Sequence, residues 1–141
     1  MARIMAIDYG QKRTGIAVTD PLGMIANGLT TIPSHKIIEF VKNYTQQEEV
    51  SRIVVGEPKD MQNQASDSSH FIEPFVKKLR QLLPEMIIER MDERFTSKMA
   101  FQTMIDAGLN KKRRRDKALI DTISATIILQ SYLDTINHKK T

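Results

Sequence analysis

Residues 3–19, RIMAIDYGQKRTGIAVT, restrict the fold of this chain more than any other stretch. Two apolar runs, 3–9 and 14–19, are separated only by GQKR. A parallel crossover needs about a dozen residues or more, so so short a gap forces the runs into an antiparallel hairpin. The first run would be buried along most of its length, yet it closes on Asp8 before Gly10 turns the chain. An aspartate before a glycine is a common turn residue. The same aspartate also stands where ligands gather in open α/β sheets, at the carboxyl end of a strand.

The rest of the chain alternates in period. Pro21 and Gly23 mark a second turn, and 25–32 form a weaker third strand. Pro33 and Ser34 open a helix with Ile37, Ile38, Val41 and Tyr44 on one face. Residues 52–56 make a short apolar strand ending at Gly56 and Pro58, followed by the polar loop KDMQNQASDSS. A helix over 67–83 carries the stripe Phe71, Ile72, Phe75, Val76, Leu79, Leu82 and Leu83, and Pro84 stops it. Residues 86–92 read as a fifth strand, and its Glu89 and Arg90 suit an edge position. A helix begins at Thr96 or Ser97 and ends at Gly108, and a last helix runs from Asp116 to Ile136. The order β-β-β-α-β-α-β-α-α predicts one α/β domain over residues 1–141, a mixed sheet with helices on both faces. The first strand should be central, with the fourth beside it and the fifth beyond.

Charge is concentrated rather than spread. The chain carries 21 Lys and Arg against 17 Asp and Glu, a net charge of +4. Five of those cations are consecutive, Lys111, Lys112, Arg113, Arg114 and Arg115, and without them acids outnumber bases. Such a block is the electrostatic footprint of nucleic-acid binding, and equally of a solvated loop without a partner. There is no cysteine, which excludes disulfides, thiolate metal sites and cysteine nucleophiles. The N-terminus lacks the form of a signal peptide, and no run of about 18 apolar residues is present. A cytoplasmic protein without a membrane span is expected.

Asp121 interrupts an almost wholly apolar helix, DKALIDTISATIILQSYLDTI. At 100° per residue it shares a face with Ala118, Ser124, Ala125, Ile128 and Tyr132. An ionised carboxylate there needs compensation. A hydrogen bond to a hydroxyl or backbone amide would serve, and so would a metal ion shared with other acids. Asp92 and Glu93 supply a third group where the fifth strand ends, though acids there also complement a helix dipole. His35, His70 and His138 form no constellation, and surface positions are expected for each. Three acids converging without Cys or His would form an oxygen-only site, which suits Mg²⁺ or Mn²⁺. Two such ions hydrolyse phosphodiesters with water as nucleophile.

IDYGQKRTGIAVTD, IVVGEPKDM, MDERFTS and KKRRRDKALIDTISATIILQSYLD together resemble the YqgF (RuvX) family, a bacterial branch of the RNase H-like superfamily. The match runs in order along nearly the whole chain. It implies an RNase H-like sheet of order 3-2-1-4-5 with the second strand antiparallel. It implies a metal-dependent nuclease processing the 5′ end of pre-16S ribosomal RNA, or a Holliday-junction resolvase by similarity to RuvC. Carried over by position, Asp8, Glu93 and Asp121 would be catalytic metal ligands, with Asp92 the second choice at the fifth strand. Lys12, Arg13 and Arg94 would face substrate phosphates, and residues 111–115 would grip the nucleic-acid backbone. Glu57 departs from the family, which usually has an apolar residue before that proline. It either points to solvent, the favoured reading, or supplies an extra ligand. The expected partners are precursor rRNA or branched DNA and ribosomal particles, with the chain a monomer or weak homodimer. A non-catalytic RNA-binding assembly factor is the alternative outside enzymes. An actin-like ATPase, which also begins with Asp-x-Gly, needs two such domains and more chain than this.

Overall fold

The computed structural model describes residues 2–57, 69–92 and 117–139. Strands β1 (Arg3–Tyr9), β2 (Arg13–Thr19) and β3 (Ala26–Pro33) form an antiparallel meander. A single 3₁₀ turn (Ser34–Lys36) leads into α1 (Ile37–Gln47). Strand β4 (Val50–Glu57), helix α2 (Ser69–Leu82), strand β5 (Ile87–Asp92) and helix α3 (Lys117–Lys139) complete the order. The sheet runs β3-β2-β1-β4-β5, with β1–β4 and β4–β5 parallel. This is the expected order, with β1 at the centre and β5 at an edge. Strand β4 begins earlier than its apolar run suggests, because Val50 pairs with Arg3. The expected helix over 96–108 lies outside the described residues. Among the described residues no helix is long and apolar enough to cross a membrane.

Period-two alternation divides the sheet between two cores. Met5, Ile7, Ile16, Val18, Ile53 and Val55 meet Ile37 and Val41 of α1 and Ile72, Phe75, Val76 and Leu79 of α2. Ile4, Ala6, Ala17 and Val54 meet Ala125, Ile128, Leu129, Tyr132 and Leu133 of α3. Full burial of a side chain such as Ile128 or Leu129 stabilises the fold by roughly 1.5–3 kcal/mol. The two faces differ in side-chain size. Large residues fill the α1/α2 face, whereas β1 and β2 present Ala6, Ala17 and Gly15 to α3. The helix therefore comes unusually close.

At Gly15 the approach is backbone to backbone. A Cβ built on this residue would lie 2.0 Å from the Asp121 carbonyl oxygen, and one on Gly28 would lie 2.7 Å from Thr122 Cγ2. At Gly15 only glycine leaves room for α3, whereas at Gly28 a side-chain methyl would have to turn aside. A 2.6 Å hydrogen bond between the hydroxyls of Thr31 and Thr122 fixes the same end of the helix to β3.

The two hairpin turns are held by different means. Between β2 and β3, the Asp20 carboxylate accepts from the amides of Ile25 (2.7 Å), Met24 (2.9 Å) and Leu22 (3.2 Å). Those bonds, Ile25 first, hold its carboxyl below the ordinary value of 3.8. Between β1 and β2, the Gly10 amide donates to the Arg13 carbonyl at 3.0 Å. Ser34 then ties that turn to the end of β3. Its amide donates to the Lys12 carbonyl at 2.9 Å, its hydroxyl donates to the Gly10 carbonyl at 2.6 Å, and Thr14 Oγ1 lies 2.8 Å from Ser34 Oγ. The hairpin that carries Asp8 and Arg13 is thereby anchored on both flanks.

Candidate functional site

Alternation along β1 puts Ile4 and Ala6 under α3, and Asp8 follows them on that face at the carboxyl end of the central strand. Its register partner on β2 is Gly15. The position that a side chain of Gly15 would fill is taken by the backbone of Asp121. Asp8 and Asp121 are thus brought to one face across a glycine, although 113 positions separate them in the chain. Asp8 is partly buried.

Arg13, the first residue of β2, shares the parity of Gly15 and Ala17 and so lies on this face too. Its Nε donates to Asp121 Oδ2 at 2.9 Å. The side chains are 41% and 22% exposed, respectively. The carboxylate on an apolar helix therefore receives its compensation from a cation on another element. The sequence offers a hydroxyl or amide donor or a shared metal ion for that role; the structure supplies instead an arginine 108 positions away. Strand parity was the available signal, because residues 13, 15 and 17 share a face and 15 and 17 are small. Below Asp121, Ser124, Ala125, Ile128 and Tyr132 are buried, as the helical period predicted.

The other expected site residues divide into three groups. Lys12 is exposed at the hairpin turn, beside Arg13. Asp92 closes β5 opposite Glu57, which closes β4, and the side chains of both lie outside the described residues. Glu93, Arg94 and the cationic run Lys111, Lys112, Arg113, Arg114 and Arg115 lie outside them altogether. His35 is exposed as expected, while the side chains of His70 and His138 are again outside the description. Among the described residues no three His, Asp or Glu side chains gather into a metal-sized cluster. The described contribution is a pair, Asp8 and Asp121.

That pair suits a hard cation. Its donors are carboxylate oxygens, with no cysteine in the chain. A cation, the Arg13 guanidinium, already holds one oxygen of Asp121, Oδ2. Asp8 and Asp121 are the described residues that could hold such an ion.

Comparison with known proteins agrees with this architecture. A family model described as "RuvX: Holliday junction resolvase" matches residues 2–135. A protein of Bacteroides fragilis named "Putative pre-16S rRNA nuclease" is 59% identical over 135 residues, covering 96% of this chain and 98% of its own. A protein of the same name from Flavobacterium psychrophilum is 60% identical over 133 residues, covering 94% and 97%. Among solved structures, RuvC of T. thermophilus in complex with a Holliday junction substrate superposes with a TM-score of 0.60 over 97% of both chains, at 13% identity. That likeness establishes an RNase H-like fold. With a family model spanning nearly its whole length, and relatives more than half identical end to end, this chain belongs to the RuvX family.

Proposed function

We propose that the chain is a divalent-metal-dependent endonuclease of structured nucleic acid, and that its substrate is the 5′ end of precursor 16S rRNA. One observation carries this reading. Two acids from opposite ends of the chain share one face at the carboxyl end of the central strand, around a glycine that admits the helix backbone. The nuclease name shared by relatives more than half identical supports the reaction class and the RNA substrate.

Asp8 and Asp121, with Glu93, would hold the metal, and Asp92 would substitute at the fifth strand. Mg²⁺ or Mn²⁺ bound there would supply a nucleophilic water at neutral pH and stabilise the leaving oxygen. The protein's own part is positional. Asp8 is held by the central strand and Asp121 by a helix seated on glycine, so neither oxygen depends on a loop for its place. Lys12, Arg13, Arg94 and the run 111–115 would hold phosphates without reading sequence.

Cleavage of a four-way DNA junction is the second reading, favoured by the description of the family model. Symmetric junction cutting needs two sites and so a dimer. The test uses the purified chain with Mn²⁺ on a 5′-extended 16S precursor and, separately, on a four-way junction. Precursor shortening that EDTA abolishes is the expected result. Faster cutting of the junction, by a chain that light scattering shows as a dimer, would transfer the substrate assignment. Binding without cleavage of either at any metal concentration would overturn the enzyme reading.

A further inference from the structure

The pair formed by Arg13 and Asp121 has a use beyond neutralisation. We propose that Arg13 is a placeholder cation. It holds and orients the Asp121 carboxylate until a divalent ion arrives, then leaves that oxygen for a phosphate of the nucleic acid. Arg13 is thus a positioning residue that couples metal loading to substrate grip, and this inference rests on the metal-site reading above.

The geometry supports each half of the exchange. Asp121 stands on a helix whose neighbouring face is buried and apolar, which leaves its oxygens facing the strand ends and Arg13. Arg13 supplies it at 2.9 Å through Nε. A guanidinium and a divalent ion held on one carboxylate repel each other, so an arriving ion loosens the hold of Arg13. Displacement costs little, since a pair with one side chain 41% exposed is screened by water. The backbone beneath Arg13 does not move with it. Bonds from Gly10, and from Ser34 to Lys12 and Gly10, pin the turn, so only the side chain swings. It swings beside exposed Lys12, at the rim where a phosphate would lie. A planar guanidinium released there can grip a phosphate through two parallel hydrogen bonds.

The test is Mn²⁺ binding to the nucleic-acid-free protein, followed by electron paramagnetic resonance of unbound Mn²⁺. Arg13→Gln removes the competitor and should bind Mn²⁺ about threefold to tenfold more tightly than the parent chain. A merely structural arginine would leave the affinity equal or lower it. The same variant should lose the gain in nucleic-acid affinity that cleavage-inert Ca²⁺ confers on the parent, and Arg13→Lys should restore part of it. In the unmutated chain, the Arg13 Nε–H resonance should shift on Mg²⁺ addition, a readout that needs no variant to fold. Metal binding by the parent chain with no tightening in Arg13→Gln, or an unmoved Nε–H resonance at saturating Mg²⁺, overturns the placeholder role and leaves the metal site standing. Absence of Mn²⁺ binding in both proteins overturns the role together with the metal-site reading.

Discussion

Asp8→Asn is expected to slow phosphodiester cleavage about a thousandfold, equivalent to roughly 4 kcal/mol of transition-state stabilisation. The substitution keeps the side chain's shape and one acceptor oxygen but removes its charge. Asp8 stands near the carboxyl end of the central strand on the face that α3 covers, and the buried part of that strand, Ile4 to Ile7, is untouched. Folding should therefore survive, and urea unfolding with an unchanged slope would report it. Nucleic-acid affinity should hold or rise slightly, because a negative charge near the phosphates is gone. Cleavage within about threefold of the parent chain would remove Asp8 from the site.

Gly15→Val carries the second large effect, and the sign is decided by packing. On an exposed strand valine would be preferred to glycine by up to about 1 kcal/mol. Here the new Cβ would stand 2.0 Å from the Asp121 carbonyl, a backbone atom of a buried helix that no rotamer change can move. Overpacking of this kind costs roughly 3 kcal/mol or more, which outweighs the propensity. The damage is local: the start of α3 must lift from β2, and Asp121 moves with it. A displacement near 1 Å at a reacting site costs on the order of a hundredfold in rate. Stability and cleavage should fall together in Gly15→Val. A variant of parental stability, with the α3 amides equally protected from hydrogen exchange, would contradict the close seating of the helix.

Much of this architecture was legible from local rules. The short GQKR gap dictated the β1–β2 hairpin, and the alternation of strands and helices dictated the parallel half of the sheet. Polar Glu89 and Arg90 marked β5 as an edge, and in the structure they pair with Arg52 and Glu73. The start of α1 was less legible, since a 3₁₀ turn precedes it and Ser34 is spent on the hairpin rather than on capping the helix. Helix α3 shows the limit most clearly. Its apolar residues go almost all round, so periodicity alone leaves its contact face weakly defined; small residues on β1 and β2 decide it. The pairing of Arg13 with Asp121 joins residues 108 positions apart; strand parity puts Arg13 on the face of Gly15 but does not name its partner. It follows from tertiary packing at Gly15, which a one-dimensional pattern does not encode.

The most direct measurement is a crystal of the chain soaked in Mn²⁺ and read by anomalous scattering. An ion bound by oxygens of both Asp8 and Asp121 at about 2.2 Å, with the Arg13 guanidinium moved off Asp121, is the predicted result. A saturating soak that leaves Asp121 on Arg13, with no ion at the carboxyl end of β1, would contradict it.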